Sequence, residues 1–237
     1  MTSDRPNLLL VPGAFHGGWV WHDVGGLLRD EAWQVSTVDL PSSSGGNPDI
    51  GMYDDAALLR RILNESRTPT TIVAHSYGGI PATQAAAGLD HVVKIVYVAA
   101  FQLGRNESLL SSLGWQMPPW FVVEGTRVWP GNPIEVFYGD LDPEVAARHA
   151  KRLRPSTLSS KLDPLTEPLS PNTDSSYVIC EQDLALAPDR QEDMASRAGS
   201  VYRLPGGHSP MLARPAELAA LLTRIALPDK MVSKSDG

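Results

Sequence analysis

A serine that could act as a nucleophile lies in residues 74–78, whose sequence is A-H-S-Y-G. This segment matches the pattern G-x-S-x-G, with Ala74 in place of the first glycine and Ser76 at the centre. It follows a short apolar run and precedes a stretch of small residues, so we expect a sharp turn from a strand into a helix. Small residues are needed two positions before and after the serine because the two backbones approach closely there. The pattern predicts that Ser76 projects from the carboxyl end of a strand.

A serine hydroxyl is a weak nucleophile until a base removes its proton, and that base needs an orienting acid. The candidate base is His208, which lies in a Gly-Gly loop directly after the last predicted strand. The candidate acid is Asp183, just past the end of the preceding predicted strand. We expect these three side chains to converge at one edge of the sheet. Other carboxylates stay open as the acid, namely Glu181, Asp189, Asp140, Asp142 and Asp39.

Backbone N–H groups could stabilise the negative charge that develops on a substrate oxygen during such an attack. Tyr77, the residue after the candidate nucleophile, is predicted to supply one of them. The second is assigned to Ala14, in the loop 11–19, whose sequence is V-P-G-A-F-H-G-G-W. Its glycines let the backbone approach a substrate. A glycine-rich loop can also bind phosphate, but the chain has neither G-x-G-x-x-G nor a P-loop lysine.

Short apolar or β-branched runs alternate with helical patterns along the chain, which predicts an α/β fold with a mostly parallel sheet and helices on both faces. Their apolar character is typical of strands that are covered on both sides. Six runs are predicted as strands, at residues 7–11, 34–39, 70–74, 94–99, 176–180 and 200–204.

Residues 103–172 are far longer than an ordinary strand-to-helix connection. We predict that they form an inserted cap over an apolar pocket, although a small local core is the alternative. Three of the six tryptophans lie within this segment. The candidate substrate-binding residues are all aromatic, and each could instead be plain core packing; they are Phe15, Phe101, Trp115, Trp120 and Trp129.

The composition excludes several classes of protein. The chain has 237 residues, with 20 Lys and Arg against 27 Asp and Glu, a net charge of −7. Nucleic-acid binding is therefore not expected, because no basic run could contact a phosphate backbone. The single cysteine, Cys180, excludes an intrachain disulfide and a cysteine-rich zinc site. No apolar run approaches the roughly 20 residues that cross a bilayer. We expect a single domain that spans residues 1–237. The protein is expected to be cytoplasmic, to act on a small molecule and to have no membrane partner. A homodimer stays open.

Together these segments resemble the α/β-hydrolase superfamily, and most closely the branch that holds plant methylesterases, hydroxynitrile lyases and related bacterial esterases. The order Ser76, Asp183, His208 matches the order of that superfamily. The loop 12–21 is similar to the branch's motif H-G-x-x-H-G-x-W-x-W, with Pro12 in place of its first histidine. The other matching segments are residues 74–79, 137–155, 178–183 and 206–215.

The resemblance implies a six-stranded core sheet, a catalytic triad of Ser76, Asp183 and His208, and oxyanion donors at Ala14 and Tyr77. We therefore expect a serine hydrolase that cleaves a small apolar or aromatic carboxylic ester through an acyl-enzyme, with no metal and no organic cofactor.

Two alternatives stay open. One is a hydroxynitrile-lyase-like or other C–C cleaving enzyme that uses the same triad. Lyases of this branch carry a threonine and a lysine where this chain has Gly13 and Ser209, and Ser209 cannot stabilise a leaving cyanide. The other is a non-catalytic module that binds a small ligand.

Overall fold

The computed structural model describes residues 5–227, so the ends of the predicted domain, 1–4 and 228–237, lie outside the described residues. The described chain forms nine strands: β1 Asn7–Val11, β2 Val35–Thr37, β3 Thr70–His75, β4 Val92–Val98, β5 Phe121–Glu124, β6 Arg127–Pro130, β7 Ser156–Thr157, β8 Asp174–Cys180 and β9 Ser200–Leu204. It also forms ten α-helices: α1 His22–Asp30, α2 Met52–Ser66, α3 Gly79–Ala86, α4 Leu109–Ser112, α5 Pro133–Tyr138, α6 Pro143–Ala150, α7 Ser159–Leu162, α8 Pro188–Ala195, α9 Pro210–Ala213 and α10 Pro215–Ile225.

Six strands form the central sheet in the order β2-β1-β3-β4-β8-β9. Every neighbouring pair in this sheet is parallel. All six predicted strands are present, and the predicted α/β sheet is confirmed. The second one is shorter than predicted, covering only Val35–Thr37 of residues 34–39, because it pairs with β1 alone at the edge of the sheet.

Side chains of the central strands alternate between two apolar cores. From β1, Leu8 and Leu10 pack with residues of α1 and α10 on one face of the sheet. Leu9 and Val11 point to the other face, which is covered by α2 and α3. This two-sided burial explains why the strands are continuous apolar runs rather than alternating ones.

The segment between β4 and β8 contains more structure than the sequence predicts. It holds a separate antiparallel sheet of β5, β6 and β7, together with the helices from α4 to α7. Several of its buried side chains, such as Val128, Phe137 and Ala146, belong to the same apolar core as α2 and α3. We refer to residues 103–172 as the insertion.

Candidate active site

The order of the strands creates a crevice at the carboxyl end of the sheet. The chain runs from β1 outward to β2 and then returns to the other side of β1 to form β3. The connections that follow β1 and β3 therefore leave in opposite directions, and in parallel sheets a ligand binds at such a point. The loop 12–17 follows β1, and Ser76 follows β3 directly.

Ser76 lies in the strained turn that the sequence pattern predicts. Its φ is 53°, in the left-handed region that side chains other than glycine rarely adopt. A Cβ at Gly78 would collide with the carbonyl oxygen of Pro12, and a Cβ at Gly79 would lie 2.6 Å from the carbonyl oxygen of Phe101. The small residues after the serine thus let the turn pack directly against two neighbouring loops.

The three side chains singled out as nucleophile, base and acid lie together at this edge. Nε2 of His208 is 3.0 Å from Oγ of Ser76. Nδ1 of the same ring is 2.7 Å from Oδ2 of Asp183. Both His208 and Asp183 are buried, so water competes little for these hydrogen bonds. The arrangement can transfer a proton from the serine to the imidazole while the carboxylate fixes the ring.

Ala14 and Tyr77 line the same pocket as Ser76 and His208. The loop that carries Ala14 packs closely against the nucleophile, since a Cβ at Gly13 would lie 2.8 Å from the Cβ of Ser76. Only glycine at position 13 allows this approach.

The wall of the pocket is apolar and largely aromatic. Three of the five predicted substrate-binding residues line it: Phe15, Phe101 and Trp120. The remaining apolar wall comes from residues that the sequence analysis did not assign: Leu109, Leu113, Pro118, Phe121, Phe137, Ala185 and Leu186. The ring of Phe15 packs edge-on against the rings of Trp120 and Phe121, with centroids 6.1 and 5.9 Å apart.

The other two predicted substrate-binding residues do not line the pocket, so the prediction is corrected there. Trp115 follows α4 in a left-handed conformation and its side chain is 67% exposed. Trp129 lies on β6 beside the buried Val128, and strand alternation turns it to the outer face, where it is 38% exposed and pairs with Val122.

The model of the alpha/beta hydrolase family matches residues 8–221. The chain belongs to this family. A hydrolase of Aspergillus novofumigatus, nvfD, is 26% identical over 242 residues, covering 94% of this chain and 97% of the relative. Methylesterase 7 of Arabidopsis thaliana is 27% identical over 268 residues, covering 94% of this chain and 97% of the relative. The predicted resemblance to plant methylesterases and related hydrolases is confirmed.

Solved structures share the fold of this alpha/beta hydrolase. A pyrethroid hydrolase of Sphingobium faniae superposes with a TM-score of 0.78 at 19% identity, covering 94% of this chain and 97% of that one. The methylesterase MES16 of Arabidopsis superposes with a TM-score of 0.78 at 22% identity, covering 92% and 98%.

In this hydrolase, Asp183 has hydrogen-bond partners in addition to His208. Its Oδ1 accepts hydrogen bonds from the backbone N–H groups of Ala185 and Leu186, at 2.8 and 2.9 Å. Its Oδ2 accepts a further bond from Nε2 of the buried Gln191, at 2.9 Å. Sequence reasoning missed Gln191, which lies on α8 and looks like any polar helical residue.

The other carboxylates left open as the acid have different partners. Asp142 caps α6 by accepting from the backbone of Glu144 and Val145. Asp39 accepts the N–H of Gly18 at 2.6 Å, and Asp189 and Glu181 are exposed. Asp140 accepts the N–H of Gly207 at 2.8 Å and so ties the histidine loop to the insertion.

Two further buried histidines support the loops around the site. Nδ1 of His16 bonds the carbonyl oxygen of Ala14 at 2.8 Å, and its Nε2 is 2.7 Å from the hydroxyl of Tyr138. Burial lowers the pKa of His16 to about 4, so the ring is neutral at pH 7, donates to Ala14 and accepts from Tyr138. Nε2 of His75 lies 2.8 Å from the carbonyl oxygen of His208, and burial also lowers the pKa of His75 well below its usual value.

Within residues 5–227, no cluster of three or more His, Cys, Asp or Glu side chains could hold a metal ion. In the same range, no helix is both long and apolar enough to span a bilayer.

Proposed function

We propose that this alpha/beta hydrolase cleaves a small apolar or aromatic carboxylic ester through a Ser76 acyl-enzyme. The observation that carries the proposal is the unbroken hydrogen-bonded series from Ser76 Oγ through both nitrogens of His208 to Asp183, at 3.0 and 2.7 Å. Esterases among the relatives support the same chemistry, since Methylesterase 7 matches along nearly its whole length.

In the first half of the reaction, Ser76 attacks the ester carbonyl while Nε2 of His208 takes the hydroxyl proton. Asp183 accepts from Nδ1, holds the productive tautomer and stabilises the imidazolium. The N–H groups of Ala14 and Tyr77 donate to the oxyanion of the tetrahedral intermediate; one such donor is worth about 2.7–4 kcal/mol in related enzymes. His208 then gives its proton to the departing alcohol.

In the second half, His208 takes a proton from a water molecule that attacks the acyl-enzyme carbonyl. The second intermediate collapses, the bond to Ser76 breaks, and the serine recovers its proton from the imidazolium. The products are the carboxylic acid and the free enzyme, so the cycle needs no redox partner.

The pocket wall indicates the chemical class of the ester. Apart from Ser76 and His208, the lining side chains are uncharged, and their polar groups are the indole N–H of Trp120 and the hydroxyl of Tyr77, which is directed to Asp55. A charged acyl or alcohol group would lose its hydration there without a partner. Neutral esters with aromatic or short aliphatic groups fit this wall.

The test is covalent labelling with a serine-directed fluorophosphonate, followed by mass spectrometry, together with ester hydrolysis by the same samples. We expect a single label on Ser76, and we expect Ser76→Ala to lose the label and lower kcat by about 10⁶-fold. Ser209→Ala is the matched control, because this buried serine is next to the base and should leave both results unchanged.

A cyanohydrin assayed beside the esters separates the lyase alternative. Cyanide release without ester turnover would favour the lyase, and an unlabelled Ser76 together with no turnover would leave a ligand-binding module.

A further inference from the structure

A lysine is buried behind the candidate active site. Lys161 lies in the short helix α7, and its side chain is 0% exposed. Its ammonium nitrogen donates to Oγ of Ser156 at 2.7 Å and to Oγ of Ser160 at 3.0 Å. Among residues 5–227, no carboxylate lies within 4 Å of it. Burying a charge without an ion pair is costly.

Lys161 lies directly against the rings of two residues that line the substrate pocket. Its ammonium is 4.1 Å from the centroid of the Tyr77 ring and 5.6 Å from that of Phe15. A cation over a ring face at such distances is attracted by the ring, and more strongly when water is excluded. Tyr77 supplies one of the proposed oxyanion donors, and Phe15 follows Ala14, which supplies the other.

The Tyr77 ring is held from its far end as well. Its hydroxyl donates to Oδ2 of Asp55 at 2.6 Å, and Oδ1 of Asp55 accepts the N–H of Ser42 at 2.9 Å. Asp55 is itself buried on α2. The tyrosine therefore lies between a cation over its ring and a carboxylate on its hydroxyl.

A series of hydroxyl groups connects Lys161 to the other donor loop. The N–H of Phe15 donates to Oγ of Ser43 at 3.2 Å. Oγ of Ser43 in turn donates to Oγ of Ser156 at 3.4 Å, and Ser156 accepts from Lys161. One ammonium group thus supports both loops that carry the proposed oxyanion donors.

We propose that Lys161 is a positioning residue that fixes the N–H groups of Ala14 and Tyr77 at the spacing needed to bind the oxyanion. The inference rests on the proposed ester hydrolysis. Lys161 does not line the pocket, so it acts through Tyr77 and Phe15 and does not contact the substrate. Its removal should impair the reaction more than it impairs substrate binding, because the oxyanion exists only in the transition state and the intermediates.

The charge of Lys161 predicts how the positioning depends on pH. Burial lowers the pKa of Lys161 to about 7, and the carboxylate of Asp55 on α2 opposes this shift. Tyr77, from the turn after β3, also faces it and stays neutral because burial raises its pKa well above its usual value. The neighbouring elements α4 and β7 contain no titratable side chain. As pH rises through about 7, the amine loses its charge and its attraction to the ring, so kcat should fall on the alkaline side.

The experiment compares Lys161→Met with wild type over pH 5–9, with kcat, KM and the midpoint of thermal unfolding measured for each. Met keeps the length of the apolar stem and removes the charge and the donors. We expect kcat at pH 6.5 to fall about 10- to 100-fold, since misplacing a reactive group by about 1 Å can cost 10²-fold. KM should stay within about threefold, and the alkaline decline should disappear. The exposed Lys151→Met is the matched control and should resemble wild type.

The thermal stability of the Lys161→Met variant distinguishes a positioning role from a merely structural one. Within the described part of the chain, Lys161 forms no ion pair within 4 Å, so its replacement by Met removes the cost of burying a charge and breaks no salt bridge, and the unfolding midpoint of Lys161→Met should not drop. Lys161→Gln, which keeps an N–H donor, serves if the first variant does not fold, and it should also lose the alkaline decline. Wild-type kcat with an unchanged pH profile in the variant overturns the proposal, as does a loss of kcat that merely follows a loss of folded protein. If wild-type Ser76 is not labelled by fluorophosphonate, the proposed function has failed, independently of Lys161.

Discussion

Asp183→Asn removes one charge from the site while keeping its shape, and the partners of Asp183 dictate how the amide must lie. With its NH₂ in the place of Oδ1, the amide faces two backbone donors, the N–H groups of Ala185 and Leu186. With its NH₂ in the place of Oδ2, it faces Nε2 of Gln191 and Nδ1 of His208. His208 can avoid this contact between two donors by moving its proton from Nδ1 to Nε2, whereas the backbone N–H groups cannot lose their protons. The second orientation is therefore favoured.

This orientation disables the base, because a proton on Nε2 of His208 prevents it from taking the proton of Ser76. Returning to the productive tautomer leaves one more buried donor unsatisfied, which costs about 1–3 kcal/mol. Loss of the charged acceptor for the imidazolium adds about 1.5–3 kcal/mol. At about 1.36 kcal/mol per tenfold in rate, the two effects together lower kcat by about 10²–10⁴-fold.

The assay measures kcat on an aromatic ester and the rate of fluorophosphonate labelling, with thermal unfolding as the check on the fold. Asp189→Asn is the matched control, since Asp189 is exposed on the neighbouring α8 and should leave all three unchanged. A folded Asp183→Asn protein that keeps more than a tenth of wild-type activity would refute the assignment of the acid and the argument from its hydrogen bonds.

Three other outcomes follow from the structure. Gly78→Ala should destabilise the fold by about 1–3 kcal/mol in chemical denaturation, because its Cβ would collide with the Pro12 carbonyl oxygen; unchanged stability would contradict the packing of the turn. Trp120→Ala should raise KM for aromatic esters about tenfold and Trp115→Ala should not, because the Trp120 ring lines the pocket and the exposed Trp115 ring does not; equal effects would contradict the pocket. Burial lowers the pKa of His16 to about 4, so the unfolded chain binds more protons below pH 6.5, and His16 alone should lower the free energy of unfolding by about 3 kcal/mol between pH 6.5 and 4. His16→Gln should make this decline shallower in pH-dependent denaturation, and a parallel curve would contradict the burial of a neutral ring.

The turn around Ser76 could be predicted because its constraints are local. A strained strand-to-helix turn tolerates few residue types, and Gly78 is one of the places where its backbone approaches a neighbouring loop. The three side chains of the proposed triad each follow a predicted strand, so a parallel sheet brings their loops to one edge without any knowledge of long-range contacts.

Gln191 and Lys161 could not be predicted, because their roles arise from tertiary burial and leave no local pattern. The antiparallel sheet of the insertion, by contrast, has a local signal in the sequence. Gly125 and Thr126 separate β5 from β6 as a two-residue connection, and Gly125 has a φ of 60°, which is typical of a tight hairpin. That hairpin also explains why Trp129 is exposed, since a regular strand alternates its side chains between a buried and an exposed face.

The insertion supports the chemistry as well as the pocket wall. The hydroxyl of Tyr138 bonds His16, whose other nitrogen donates to the carbonyl oxygen of Ala14 in the proposed oxyanion loop. At the opposite side of the site, the carboxylate of Asp140 accepts the N–H of Gly207, next to the proposed base. These two insertion residues lie only two positions apart, at the end of α5 and just beyond it, so a single movement of that segment would displace the oxyanion loop and the histidine loop together. Substitutions that reshape the insertion to admit a larger ester should therefore change kcat as well as KM, because the same backbone positions the reacting groups.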